Sequence, residues 1–379
     1  MDEVKSSSPY FAKEELEAVL KDIRQMLLGG VLTEGPHVKL FEKEFGTYVQ
    51  ARHAIAVNSG TAALEIALRH FKPEGGEVIV PTNTFVATPN TVIFAGGKPV
   101  FADIRADTLC LDPDDVRRRI NRNTVGIVVV HIAGLVCPQI RELMELCREN
   151  DLFLIEDAAH AHGAKAEGKM AGTLSDCGCF SFFPTKVMTT GEGGMIVTED
   201  DALADEAHVI RSHGQNERRL MVALGHNWRM SEVAAIIGRH QLRSLNSFVE
   251  RRNQIAESYN RHLANVGGLE IFRTPPRFRH SYYKYPVRVG DEVDRDGLAQ
   301  VLRNEYGVET GTVYDPPCHL HPFYMRNFGT RMGDFPVSER VLRKVLCLPM
   351  HVGMDEKSVD RVVRSLDESM VRPEIARRT

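Results

Sequence analysis

The sequence predicts an α/β protein with a mostly parallel sheet, and two patterns carry this prediction. Short apolar runs alternate with segments whose apolar residues recur at helical spacing over the first 245 residues or so. Such alternation is typical of helices that cover both faces of a parallel sheet. Later segments are a charged helical stretch, one strand and Pro- and His-rich loops. We therefore expect a large domain over residues 1–247, and a linker helix with a smaller α+β domain over residues 248–379.

Individual elements follow from the same patterns. Predicted strands of the large domain cover residues 54–57, 77–80, 99–102, 125–130, 152–155, 179–183 and 194–198. Predicted helices cover residues 13–28, 61–70, 112–121, 140–150, 201–212 and 230–245. In the second part of the chain we expect a helix over 248–264, a strand over 282–289 and a helix over 295–306.

Composition and charge exclude several classes of protein. Hydrophobic residues make up 43% and charged residues 26%, which is typical of a folded globular chain. A net charge of −4 gives no general attraction to nucleic acids or anionic membranes. The seven cysteines are scattered without a CxxC pair, and no apolar stretch approaches the ~20 residues that span a bilayer. We expect a cytoplasmic protein with reduced thiols and no nucleic-acid or membrane partner.

The segment SGTAAL, residues 59–64, follows a predicted strand and opens a predicted helix. Backbone N–H groups at such a helix start bind phosphate well. The same pattern also occurs where a serine simply caps a helix. Both interpretations remain open from this segment alone.

The segment EDAAHAHG, residues 156–163, follows the apolar run LFLI. A carboxylate at the end of a buried strand is costly unless it meets a cation, and a protonated pyridine nitrogen would serve. Asp157, His160 and His162 are also acceptable metal ligands, or ordinary capping and core residues. One strand or helix face would not present all three together, and no cluster with zinc spacing occurs elsewhere, so we predict no metal site.

Lys186 follows the apolar run FSFFPT and precedes the Gly-rich turn TTGEGG. Partial desolvation there would lower its pKa and make the neutral amine nucleophilic. The alternative is an exposed loop lysine. A further segment, GHNWRMSE, contains Ser231 as a candidate helix cap, while Asn227 and Arg229 in isolation would be turn residues.

Taken together, these segments resemble the DegT/StrS family of sugar aminotransferases, which are fold-type I enzymes dependent on pyridoxal phosphate (PLP). The resemblance is carried by five ordered blocks: NSGTAALEIAL, PTNTFVATPNTV, EDAAHAHGA, FSFFPTKVMTTGEGGMIVT and GHNWRMSEVAAIIG. It extends from GGVLTEGP to LCLPMHVGM, nearly the whole chain. A phosphate cradle, an electron-sink carboxylate and a Schiff-base lysine are what PLP requires together.

The resemblance implies a role for each cofactor residue. Lys186 would be the Schiff-base lysine, Asp157 would pair with the pyridine nitrogen, and His160 would lie near the phenolic oxygen. Phe85 would stack on the ring. The phosphate would be held by Gly60, Thr61 and Ser181, and by Asn227 from a neighbouring subunit, which implies a homodimer with shared active sites.

The resemblance also implies the reaction. Glutamate would donate the amino group, and the acceptor would be a nucleotide-linked 3- or 4-keto-deoxyhexose, as in deoxyamino-sugar biosynthesis. Arg229, Tyr314 and His319 are candidates for the acceptor side, or structural residues. Ala133 and Val187 depart from the commonest pattern, which leaves substrate contacts less constrained than cofactor contacts.

Three other functions compete with this one. A sugar dehydratase of the same family would carry histidine in place of Lys186, which argues against it. A keto-cyclitol acceptor is compatible with the sequence. A non-catalytic PLP-fold sensor would need an attached signalling module, and the two predicted domains already occupy the chain.

Overall fold

The computed structural model describes residues 3–372 and residue 375 of the chain. Its strands are β1 (His53–Val57), β2 (Glu77–Pro81), β3 (Lys98–Ala102), β4 (Thr124–Val130), β5 (Phe153–Asp157), β6 (Lys165–Ala166), β7 (Lys169–Met170), β8 (Cys177–Ser181), β9 (Gly194–Thr198), β10 (Leu269–Ile271), β11 (Phe278–Arg279), β12 (Tyr285–Val289) and β13 (Val345–Leu348). Its α-helices are α1 (Lys13–Gly29), α2 (Pro36–Val49), α3 (Gly60–His70), α4 (Ala87–Phe94), α5 (Pro113–Arg119), α6 (Ile140–Asn150), α7 (Asp201–Arg211), α8 (Glu232–Leu263), α9 (Arg295–Tyr306), α10 (Pro322–Phe328), α11 (Pro336–Val341) and α12 (Glu356–Met370).

A seven-stranded sheet in the order β1-β9-β8-β5-β4-β2-β3 forms the centre of the molecule. The neighbours from β8 to β3 pair in parallel, and β9 runs antiparallel to both β8 and β1. Successive residues of β2 enter different cores: Ile79 joins one cluster, while Val78 and Val80 join another on the opposite face. The prediction of a mostly parallel α/β sheet covered on both faces is confirmed.

A second core lies beside the smaller antiparallel sheet, β10-β12-β13. Tyr259 of α8, Leu302 of α9 and Val362 of α12 are buried against it. The start of the chain also joins this core, because Val4 pairs with Val308. Helix α8 runs unbroken through residue 248, so the two helices expected over 230–245 and 248–264 form one element; no Gly or Pro interrupts it between them. The domain division at 247/248 stays a prediction.

Most predicted elements occur within a few residues of their expected bounds, and the exceptions have physical causes. The strand expected over 282–289 begins at Tyr285, because Tyr282 has a φ of 46° and the N–H of Lys284 donates to the carbonyl of Ala133 instead of a ladder partner. Helices α2, α4, α10, α11 and α12 and strands β6, β7, β10, β11 and β13 were not predicted. Among the described residues, no helix combines the length and apolar character needed to cross a bilayer.

One glycine contact holds the loop before β8 against the sheet. A Cβ added at Gly178 of β8 would lie 2.3 Å from the Cα of Gly172. Backbone cannot move aside as a flexible side chain can. Residue 178 is therefore restricted to glycine by this close approach.

We expect Gly178→Ala to lower the midpoint of thermal unfolding, because overpacking typically costs about 1–3 kcal/mol. Gly267→Ala is the matched control, since nothing lies within 4 Å of a Cβ added there. Equal midpoints for both variants and the wild type would contradict this account of the contact.

Candidate active site

The loops after β2, β5 and β8, the end of β4 and the start of α3 contribute to one cavity of about 330 Å³. Because the parallel strands end at the same edge of the sheet, residues far apart in sequence meet there. The cavity is lined by eight of the residues predicted from the sequence: Gly60, Thr61, Phe85, Asp157, His160, Ser181, Lys186 and Tyr314.

Asp157 is the last residue of β5 and points into this cavity. Thr88 Oγ1 donates to its Oδ2 at 2.8 Å, and the N–H of Ala159 donates to its Oδ1 at 3.2 Å. Burial raises the pKa of Asp157, and these hydrogen bonds together with the charge of Lys186 only partly oppose it. A cation placed against this carboxyl would favour its ionised form.

Glu156 precedes Asp157 on β5, so its side chain points to the opposite face. Its carboxylate is fully buried and lies 2.7 Å from Nε2 of His131, which is fully buried as well. His131 Nδ1 accepts from the N–H of Cys137 at 3.2 Å, so the ring proton is on Nε2. Glu156 also accepts from the N–H groups of Gly172, Leu174 and Ser175 and from the hydroxyl of Ser175. This network fixes the end of β5 and hence the place of Asp157.

Lys186 enters the cavity from the loop after β8. Burial lowers its pKa, which increases the fraction of neutral, nucleophilic amine. Its Nζ lies 4.7 Å from the ring centroid of Tyr283. The hydroxyl of Tyr283 is 3.0 Å from Thr185 Oγ1, and the charges of Lys186 and Lys284 outweigh burial to lower the pKa of Tyr283.

His160 lies beside this group with its ring centroid 4.3 Å from that of Tyr283. Its Nε2 is 3.0 Å from the hydroxyl of Tyr314, while its buried Nδ1 has no hydrogen-bond partner within the described chain. Burial, with the charges of Lys186 and Lys284, holds the pKa of His160 well below its usual value. The imidazole is therefore neutral, with one ring nitrogen available to a ligand.

The start of α3 forms the polar end of the cavity. Ser59 caps the helix by accepting from the N–H of Ala62 at 3.1 Å, and Gly60 and Thr61 supply the first N–H groups, which have no partner within a helix. A Cβ added at Gly60 would lie 2.7 Å from Cβ of Ser181. This close approach lets the helix start and Ser181 line one concave surface suited to a phosphate.

Three predicted site residues lie outside the cavity lining. Asn227 is exposed, and Arg229 Nη1 lies 3.2 Å from Ser212 Oγ. His319 is fully buried, with Nε2 3.0 Å from Oε1 of Glu339 and its ring 4.5 Å from that of Phe335. His319 therefore packs in the core and does not line the cavity, and its assignment to the acceptor side stays a prediction.

Sequence reasoning missed three contributors. Thr88 lies in the block PTNTFVATPNTV, but its bond to Asp157 crosses 69 positions of sequence. Tyr283 and Lys284 reach the cavity from the segment before β12, and no local pattern indicates this. The metal interpretation gains no support, since no group of three or more His, Cys, Asp and Glu side chains in residues 3–372 and 375 is placed to hold an ion.

These groups fit PLP. Three features of the cavity match three parts of PLP. The unpaired Nδ1 of His160 suits the phenolic oxygen, and the buried carboxyl of Asp157, which has no ion-pair partner among the described residues, suits the ring nitrogen. The close approach of Gly60 to Ser181 at the start of α3 suits the phosphate. Phe85, whose ring is 57% exposed at the cavity, offers a face for stacking. Fold and site together define the class of PLP-dependent aminotransferases.

Comparison with known proteins agrees. Residues 13–367 match the model of the DegT/DnrJ/EryC1/StrS aminotransferase family, and the chain belongs to that family. It is 35% identical to the spore coat polysaccharide biosynthesis protein SpsC of Bacillus subtilis (95% of each chain) and 36% identical to the GDP-perosamine synthase of Caulobacter vibrioides (89% of this chain, 91% of the relative). The PLP form of the putative sugar aminotransferase Spr1654 from Streptococcus pneumoniae superposes with a TM-score of 0.90 at 26% identity, covering 97% of this chain and 98% of that one. The cofactor is PLP.

The lowered pKa of Lys186 predicts a pH-dependent stability cost in the cofactor-free protein. Below the folded-state pKa the lysine is charged in both states, so the cost of burying its charge is complete. As pH rises from that value toward the unfolded pKa of about 10.4, the folded state releases the proton first and the cost disappears. We expect Lys186→Met to unfold at a higher temperature than the wild type at pH 7, with a difference that narrows toward pH 10.

The measurement is a series of thermal unfolding midpoints between pH 7 and 10 without PLP. Lys169→Met, at an exposed position of β7, is the control and is expected to track the wild type at every pH. If the difference in unfolding midpoint between Lys186→Met and the wild type stays constant or widens with pH, the lowered pKa of Lys186 is refuted.

Proposed function

We propose that this chain transfers an amino group from glutamate to the keto group of a nucleotide-linked 3- or 4-keto-deoxyhexose. The observation that carries the proposal is the meeting of Lys186, Asp157 and the start of α3 at one cavity. The sugar class is supported by relatives, because the GDP-perosamine synthase reported above is named for a nucleotide-linked amino sugar.

When bound, PLP supplies a carbonyl that condenses with amines and a ring that accepts the electron pair left after a proton is lost. Lys186 would hold the cofactor through its Nζ. Asp157 would keep the ring nitrogen protonated, since its buried carboxylate is stabilised only beside a cation. His160 would donate or accept a hydrogen bond at the phenolic oxygen through its free ring nitrogen.

Lys186 is also the base of the reaction. Burial lowers the pKa of Lys186, which favours the neutral amine that a base requires. With PLP bound, its Nζ would take up the proton released from the donor α-carbon and would give it back within the same cavity. The same amine serves in the opposite direction when the keto-sugar enters.

The phosphate would lie against Gly60, Thr61 and Ser181, and we propose that Asn227 of a second subunit completes the site. Asn227 is exposed and lies outside the cavity lining of its own subunit, as a residue contributed to a partner would. Apolar side chains of the same loop, Leu220, Met221, Val222 and Leu224, are also exposed, which favours burial against another copy.

On the acceptor side we propose Tyr314, which lines the cavity beside Phe85 and His160. Arg229 is proposed with Asn227, two residues away, as a contact made across the dimer. A keto-cyclitol acceptor would use the same amine chemistry as a nucleotide-linked keto-sugar. A screen of both kinds of acceptor, after the enzyme has taken an amino group from its donor, distinguishes them.

The first test follows the visible absorbance of the purified protein with PLP. We expect wild type to show the band of lysine-bound PLP and to lose it when glutamate is added, while Lys186→Ala never shows it. Transfer to a keto-sugar is then measured by mass spectrometry of the product. A band that persists with every amino donor would refute the aminotransferase assignment for this site.

A second test asks whether the active sites are shared. Neither Lys186→Ala nor Asn227→Asp homodimers should be active at limiting PLP, because one lacks the amine and the other places a negative charge against the phosphate. Equal mixing after subunit exchange should restore about one quarter of the wild-type sites, since half of the dimers are mixed and each holds one intact site. Sites confined to single subunits would give no such recovery.

A further inference from the structure

A second lysine, Lys284, lines the same cavity as Lys186. Its Nζ lies 5.9 Å from the ring centroid of Tyr283, and Nζ of Lys186 lies 4.7 Å from the same centroid. Two lysine side chains therefore lie beside one aromatic ring. PLP accounts for only one of them.

Lys284 has no carboxylate partner in the part of the chain that the structure describes. The polar contact of its Nζ is the carbonyl oxygen of Thr312, which uses one of three N–H donors. The cavity has two carboxyl-bearing side chains: Asp157 is held by Thr88 and Ala159, and Glu192 is exposed. Neither lies within 4 Å of Lys284 Nζ as an ion pair.

A carboxylate ligand that enters the cavity near Lys284 would depend on the charge of that lysine, because the surroundings are largely aromatic. Phe85, Tyr283 and Tyr314 present aromatic surface to the cavity. An anion among such groups loses its hydrating water, and without a cation nearby no other interaction compensates for that loss, so its binding is unfavourable. A substrate that carries a carboxylate into this cavity therefore needs a positive charge other than that of Lys186.

We propose that Lys284 binds a carboxylate group of a substrate, and that this group belongs to the amino donor. In an amino acid the carboxylate is attached to the carbon that bears the amino group, so a donor whose nitrogen reaches the region of Lys186 Nζ brings its carboxylate close by. Lys284 is the other lysine beside the Tyr283 ring and lines the same cavity, so its Nζ would be available to that carboxylate. The proposal rests on the aminotransferase function given above and assigns the donor side of the site.

The same chemistry could come from an acidic acceptor, a nucleotide-linked keto-hexuronate. A purely structural lysine is the opposing interpretation: the N–H of Lys284 donates to Ala133 and its Nζ to Thr312, which ties the loop after β4 to the segment that carries Tyr314. The structural role predicts equal effects on acidic and neutral ligands, whereas the binding role predicts an effect on acidic ligands only.

The test compares wild type with Lys284→Met and Lys284→Arg, all loaded with PLP at fixed ionic strength. Calorimetry measures the dissociation constant of glutarate, a dicarboxylate without an amino group. Absorbance measures the glutamate concentration at which half of the Lys186-dependent band is lost. We expect Lys284→Met to raise both concentrations by tenfold or more, and Lys284→Arg to retain most of the affinity. Lys169→Met, far from any charge assigned to the site, is expected to match wild type.

The remaining outcomes separate the sources. Unchanged glutarate and glutamate values, with a loss confined to a keto-hexuronate over the corresponding neutral keto-hexose, would retain the carboxylate role and move it to the acceptor. Equal losses for acidic and neutral ligands, or no loss for any, would overturn the proposal. If wild type itself never loses the band with glutamate, the aminotransferase function fails, while the glutarate comparison still decides whether Lys284 binds a carboxylate.

Discussion

The active site depends on one buried carboxylate that lies just behind it. Glu156 takes part in five hydrogen bonds: one with His131, which follows β4, and four with groups of the loop before β8, namely the N–H groups of Gly172, Leu174 and Ser175 and the hydroxyl of Ser175. Removing one partner of a buried, hydrogen-bonded charge is far more costly than losing a surface pair. Because β5 alternates its side chains, fixing Glu156 on one face also fixes Asp157 on the other. The position of Asp157, which lines the cavity, is therefore set by a group outside the cavity lining.

The cavity itself is assembled at a cost to stability. Burial shifts the pKa of Lys186, Asp157 and His160, in each case in the direction that favours the uncharged form. Keeping any of these groups charged in the folded protein therefore costs free energy. Groups that are costly without a ligand are typical of functional sites. PLP would supply the missing cation for Asp157 and a covalent partner for Lys186, so its binding would stabilise the fold.

The seven-stranded sheet was predictable because its signals are local. Apolar runs and helical periodicity identified its parallel strands, and the predicted site residues lie close to element ends: Gly60 begins α3, Asp157 ends β5 and Lys186 lies in the loop after β8. The smaller antiparallel sheet and its core were harder to predict. β13 is only four residues long, and the start of the chain joins that core through Val4, a contact across some 300 residues that no local pattern encodes. His319 shows the converse: a histidine in a polar-looking segment proved to be a packed core residue beside Glu339.

The sequence by itself determined the class of fold and the cofactor, and it singled out Lys186 as the lysine to test, because each depends on short motifs in which residue type and neighbouring structure coincide. Tertiary structure alone decided what surrounds that lysine: Thr88 against Asp157, Tyr314 against His160, and Tyr283 with Lys284 brought from the segment before β12. These contacts arise only when the sheet aligns its strand ends and the second core packs against them. Their partners lie tens to hundreds of positions apart, so their geometry is a property of packing and not of any segment.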